Sequence, residues 1–208
     1  MTAALIVIAK EPAPGRSKTR LCPPLTAEAA AGLAAASLAD TLAAAAACRE
    51  ARRRVLALDG ASPDWVPPSF EVIPQRGLGL DERLASAFED VSEAALLIGM
   101  DTPQVTPALL TAGLRMLSRP GTDAVLGRAL DGGYWAVGLR RPRRDLFVGV
   151  PMSSAVTCDA QLARLRGAGL RVRSLPPLRD VDLIEDARAV AGLAPGSRFA
   201  EAFGSLAA

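Results

Sequence analysis

Short apolar runs alternate along this chain with longer stretches of helical period. Ala3–Ala9, Arg53–Leu58, Phe70–Ile73, Ala94–Gly99, Asp123–Gly127, Tyr134–Leu139 and Leu170–Leu175 are too short for helices and read as strands. Ala94–Gly99 has no polar side chain, as a strand covered on both faces of a parallel sheet requires. Between the strands lie helical patterns: one from the N-cap Thr26 to about Glu50, Leu80–Val91, a run to Leu117 with Thr106 as N-cap and Pro107 in the first position, a helix ending near Gly167, Leu183–Leu193, and a last short helix within 196–208. The alternation predicts a single-domain, three-layer α/β/α fold over all 208 residues, with a doubly wound, Rossmann-like, mostly parallel (mixed) sheet.

In such sheets ligands lie beyond the carboxyl ends of the strands. Asp101 follows Ala94–Gly99 after Met100, so it either points into that region or caps the turn through Thr102-Pro103. The loop after the first strand carries Lys10, Arg16, Lys18 and Arg20 on a path that Pro12, Pro14 and Gly15 keep from being helical. Cations and main-chain amides presented together suit a triphosphate, although neither GxxxxGK[ST] nor GxGxxG is present; the alternative is a solvated basic loop. Gln75 and the turn Gly77 to Gly79 precede a helix and bring amides near the strand ends, where a base or ribose has room; Arg83 is one turn further on. Asp131-Gly132-Gly133 followed by Tyr134 completes a hairpin or meets substrate. Ser153 and Ser154 read as the N-cap of the helix ending near Gly167, and a free helix N-terminus also accepts a phosphate or carboxylate. Asp180 and Asp182 are two apart in an extended segment, so their carboxylates converge with Val181 turned inward. Like charges that close are costly unless a cation sits between them. The rival role for Asp182, capping the next helix, leaves Asp180 unexplained.

Composition narrows the chemistry. The chain has no histidine, which removes Ser-His-Asp and Cys-His catalysis, His-ligated zinc and any imidazole base. Carboxylates, lysine, arginine and hard cations remain, the usual equipment of phosphoryl and nucleotidyl transfer. Twenty-four basic and 22 acidic residues give a net charge of +2, with 4% aromatics, so nothing points to nucleic acid or membrane as partner. Three scattered cysteines suit a reducing compartment, and the apolar N-terminus meets Lys10 and Glu11 too soon for a signal peptide. A cytoplasmic location is the expectation. The alanine-rich run from Ala27 to Cys48 carries Glu28 and Asp40 and reads as a helix of a soluble protein.

Four segments in order, AKEPAPGRSKTRL, LIGMDTP, LDGGYWAVGL and LRDVDLIEDA, resemble the DUF2064 family of GT-A-fold (nucleotide-diphospho-sugar transferase-like) transferases, which is similar to the molybdenum-cofactor and phospholactate guanylyltransferases. The resemblance spans Leu5 to about Leu193. It implies a Mg²⁺ (or Mn²⁺) site at Asp101 completed by Asp180 and Asp182, and nucleotide phosphates held by Lys18 and Arg20. The sequence departs from related enzymes in its proline-bearing first loop and in having Met100, Thr102 and Met152 where the family shows other residues; these departures bear on the acceptor. The implied activity moves a nucleoside monophosphate from a triphosphate to a small phosphorylated or carboxylated acceptor, with release of pyrophosphate. A glycosyltransferase using a nucleotide sugar is the alternative, and a nucleotide-binding module without turnover a third.

Overall fold

In the computed structural model, which describes residues 3–61 and 65–206, the apolar runs form one seven-stranded sheet. Its strands are β1 (Ala4–Lys10), β2 (Arg54–Asp59), β3 (Glu71–Pro74), β4 (Ala95–Gly99), β5 (Ala124–Ala129), β6 (Tyr134–Leu139) and β7 (Val172–Leu178), in the spatial order β3-β2-β1-β4-β6-β5-β7. Only β6 runs against its neighbours, pairing antiparallel with both β4 and β5. The helices are α1 (Ala27–Ala47), α2 (Leu80–Val91), α3 (Pro107–Ser118), α4 (Thr157–Gly167), α5 (Ile184–Leu193) and α6 (Arg198–Leu206).

The period-two alternation of the strands sends side chains into two cores. Leu5 and Val7 of β1 pack with Leu38 and Leu42 of α1 and with Leu110 and Leu114 of α3. Ala4 and Ile6 face the other layer, with Leu84 and Phe88 of α2 and Leu165 of α4, where the Phe88 and Phe147 rings stack at 5.1 Å. A third, smaller core lies off the sheet: Leu21 from the loop after β1 and Val181 from the segment after β7 meet Leu33, Val190 and Phe199 of α1, α5 and α6. Two segments distant in sequence are thereby anchored side by side.

Thr26 and Thr106 cap α1 and α3 as their positions predict, accepting from Ala29 N and Leu109 N at 3.2 Å. α1 stops at Ala47 rather than near Glu50, because the Arg54 guanidinium takes the carbonyls of Ala45 and Cys48 at 2.9 and 2.7 Å and terminates the ladder. β7 runs three residues past its expected end, through Pro176 and Pro177; as an edge strand it has a side where no ladder donor is needed. Neither Ser153 nor Ser154 caps α4. Its N-cap is Val156, and the Thr157 hydroxyl turns back to accept from Ser154 N at 3.1 Å. Asp182 does not cap α5 either: that helix begins after Leu183, whose amide donates to Asp186 at 2.9 Å, leaving Asp182 free for the site.

Candidate functional site

β1 leads into α1 and on to β2 on one side of the sheet, and β4 pairs with the other edge of β1. The chain reverses its direction of winding between these two strands, and the loop after β1 and the turn after β4 flank the crevice that results.

Lys18 sits at the centre of it. Its backbone is left-handed at φ 50°, ψ 37°, a conformation that costs a non-glycine residue about 1 kcal/mol. The side chain is only 9% exposed; Nζ lies 2.6 Å from Asp101 Oδ1 and 3.6 Å from Asp182 Oδ1, and it donates to the Val181 carbonyl. Arg20 reaches Asp182 Oδ2 at 3.1 Å. The segment after β7 is held to the turn after β4 by its main chain: Val181 N donates to Asp101 O at 3.0 Å, and the Gln104 amide donates to Arg179 O. On α1, the buried Ser37 hydroxyl donates to Met100 O at 2.6 Å and fixes the end of β4 from behind. With Val181 fully buried, Asp180 and Asp182 turn outward, and Asp131 joins them from the β5–β6 hairpin. One oxygen from each of Asp131, Asp180 and Asp182 lies within 4.8 Å of the others.

The hairpin is fixed by close packing. Gly132 has φ +96°, a Cβ there would stand 2.1 Å from Ala155 O, and its carbonyl accepts from Cys158 N at 2.8 Å. Asp131 accepts from Gly133 N at 2.7 Å, so hairpin closure and approach to the other acids are roles of one carboxylate.

Burial, and then the charge of Asp131, push the Asp180 carboxyl up to about 6; Asp182 adds to this and Lys18 opposes it. An aspartate in the unfolded chain titrates near 3.9. Between these values the folded protein binds more protons than the unfolded one, so without a cation this group makes the protein less stable as pH rises from about 4 through about 6. For a partly exposed group the penalty at neutral pH is discounted to about 1–2 kcal/mol. Asp180→Asn is expected to remove that fall and raise the metal-free melting temperature at pH 7 relative to wild type. Calorimetric scans of both proteins from pH 4 to pH 7 measure the difference, which closes towards pH 4.

The remaining residues singled out in the sequence divide into two groups. Lys10, at the end of β1, and Arg16, in the loop that follows it, are exposed, and among the described residues their side chains have no hydrogen-bond or ion-pair partner. Gln75 is committed to the sheet: its amide nitrogen donates to Ala9 O at 2.8 Å and Ala57 O at 3.0 Å, tying the ends of β1 and β2. Beside it Arg83 pairs with Asp59 at 2.7 Å and donates to Gly77 O at 3.3 Å. Gly77 has φ +126°, Gly79 is the N-cap of α2, and Leu78 between them is 96% exposed. The Tyr134 hydroxyl donates to the buried Gln161 at 3.3 Å, and burial moves its titration far above the ordinary tyrosine range. Ser153 and Ser154 are exposed ahead of α4, with Ser153 left-handed at φ 54°. Sequence reasoning did not single out Ser37 or Gln104, whose polarity within otherwise apolar or turn-forming stretches carries no distinguishing local signal.

No curated protein matches the chain. Among solved structures it is similar to a proposed nucleotide-diphospho-sugar transferase from Desulfovibrio desulfuricans G20, 28% identical over 99% of this chain and 94% of that one, with a TM-score of 0.85. It is also similar to 2-C-methyl-D-erythritol 4-phosphate cytidylyltransferase from Thermus thermophilus (18% identity, 94% and 100% covered, TM-score 0.57) and to CMP:2-keto-3-deoxy-manno-octonic acid synthetase complexed with CTP (13%, 92% and 99%, 0.56). The last two likenesses establish a shared fold. With the family profile described as "Uncharacterized protein conserved in bacteria (DUF2064)" matching residues 27–154, more than half its length, the chain belongs to the DUF2064 family and has the nucleotide-diphospho-sugar transferase fold.

Proposed function

We propose that this protein is a divalent-metal-dependent nucleotidyltransferase that moves a nucleoside monophosphate from a triphosphate to a small phosphorylated or carboxylated acceptor, releasing pyrophosphate. The observation that carries the reading is Lys18 held between Asp101 and Asp182, with Asp131 and Asp180 alongside, in the crevice at the carboxyl ends of β1 and β4. The donor set for a cation is all carboxylate oxygen, which suits Mg²⁺ or Mn²⁺ rather than a soft metal, and Asp180, pushed up by burial first and by the charges of Asp131 and Asp182 after it, is a carboxylate that a cation would help to ionise. Asp131, Asp180 and Asp182 would hold the ion; bound there, it supplies charge neutralisation at the phosphate oxygens.

The chain's own groups do the rest. Lys18 exchanges Asp101 for a phosphate oxygen, which leaves the Asp101 carboxylate available as a further ligand. Lys10, Arg16 and Arg20 line the loop beside it as counter-charges for the leaving pyrophosphate. An acceptor already ionised as phosphate or carboxylate needs no protein base, in keeping with a chain that has no histidine. Nucleotide sugar as donor is the second reading, favoured by the similarity to the Desulfovibrio protein. Incubating the protein with each nucleoside triphosphate, Mg²⁺ and a pool of phosphorylated and carboxylated metabolites separates the two: the expected product is pyrophosphate in stoichiometry with an acceptor–NMP adduct. Consumption of a nucleotide sugar with no pyrophosphate would replace the first reading by the second.

A further inference from the structure

The near balance of charge along the chain conceals a segregation in space. β2, β5 and β7 begin, and β6 ends, at the edge of the sheet remote from Asp101, where α1, α2, α3 and α4 also terminate. Five arginines at that edge, Arg49, Arg52, Arg119 and Arg141 in the connections and Arg166 in the last turn of α4, are exposed, and among the described residues their side chains have no hydrogen-bond or ion-pair partner. Arg54 and Arg140 bond only to main-chain carbonyls at the ends of α1 and α3, and neither forms a salt bridge, although the charge of Arg140 is felt by Asp123. The acids nearby each face an arginine of their own, as Glu50 faces Arg115, Glu93 faces Arg53, Asp123 faces Arg171 and Asp145 faces Arg143. Helix C-termini attract cations, which accounts for Arg54, Arg140, Arg119 at the C-cap of α3 and Arg166 in the last turn of α4, but not for Arg49, Arg52 and Arg141, whose side chains bond to nothing among the described residues.

We propose that this edge docks on an anionic phospholipid surface, with the acid-lined crevice at the opposite edge turned away from the bilayer. The unpaired arginines extend from the start of β2 to the start of β7, five strand spacings or about 24 Å, which is more than twice the Debye length at physiological salt. A single small anion cannot neutralise charges that far apart, whereas a plane of phosphodiesters meets them together. Guanidinium forks match phosphate geometry, and the cations at this edge are all arginines, the chain's two lysines, Lys10 and Lys18, lying at the crevice. A groove of about 570 Å³ runs along the flank of α3 beside the end of α1 and opens next to Arg49 and Arg119. The connections 48–54, 119–123, 140–143 and 166–171 contain no aromatic residue on which a base could stack, which argues against nucleic acid.

Co-sedimentation of the full chain with vesicles of phosphatidylcholine, with and without phosphatidylglycerol, tests this at low and high salt. Binding is expected to be at least about tenfold stronger to the phosphatidylglycerol vesicles, to vanish at high salt, and to be lost in a variant carrying Arg49→Gln, Arg52→Gln, Arg119→Gln and Arg141→Gln. All four positions are exposed, so the variant's melting temperature should match wild type; should it fall, the same four changes to Lys, which keep charge and remove the fork, are expected to bind with reduced affinity and the same salt dependence. Equal partitioning onto both vesicle types, unchanged binding by the glutamine variant, or tighter binding to duplex DNA than to vesicles of equal phosphate concentration would overturn the proposal.

Discussion

Replacing Lys18 by methionine is expected to lower the rate of nucleotidyl transfer by at least about a hundredfold, because it removes the one largely buried cation aimed at both Asp101 and Asp182. Two effects of the change have opposite signs and can be told apart. Loss of the ammonium leaves the half-exposed Asp101 without its partner, Asp182 with Arg20 alone and the Val181 carbonyl without its donor, at a cost of about 1–2 kcal/mol in stability. The left-handed backbone at this position offers a control: Lys18→Gly removes the same charge but relieves about 1 kcal/mol of strain. Methionine and glycine variants should therefore differ in melting temperature and agree in lost turnover. Wild-type turnover in either one would mean that Lys18 merely fastens the loop to the segment after β7. Activity follows from pyrophosphate release, stability from thermal unfolding of the same preparations.

The second large effect is at the acids. Without nucleotide, Lys18 occupies Asp101 at 2.6 Å, whereas Asp182, though paired with Arg20 at 3.1 Å and more loosely with Lys18 at 3.6 Å, still lies with Asp131 and Asp180, so these three are the carboxylates that would bind an ion. Asp182→Asn and Asp131→Asn are each expected to weaken Mn²⁺ binding by about 10- to 100-fold, as removal of one of three charged ligands does, while Asp101→Asn changes it by less than about threefold. Turnover should fall in all three, since Asp101 acts once Lys18 has moved to phosphate. Titration calorimetry with Mn²⁺ alone gives the binding values. The opposite order, with Asp101→Asn abolishing binding and Asp131→Asn leaving it intact, would place the ion between Asp101 and Asp182 and return Asp131 to the hairpin.

The resemblance of four motifs implied Asp101, Asp180 and Asp182 as one group of acids, while the turn residues left Asp131 either to finish a hairpin or to meet substrate. The two members of the late pair were legible because residues two apart in an extended segment share a side, and the burial of Val181 between them bears out that geometry. Asp131 was not, since its approach depends on a hairpin held against Ala155 by a glycine without a side chain. Gln75 and Tyr134 show the converse. Their polar ends looked available in one dimension, yet the sheet ends and Gln161 take them up.

Local periodicity and capping chemistry determined nearly every element of this chain on its own: the buried strands, Thr26 and Thr106 at the helix starts, and the absence of imidazole chemistry follow from residue types at fixed short spacings. Tertiary structure decided what depends on long-range proximity. The insertion of β6 between β5 and β4, the pairing of Lys18 with acids 83 and 164 positions away, and the gathering of unpaired arginines at one edge arise because packing brings together residues whose separation along the chain bears no relation to their distance in space.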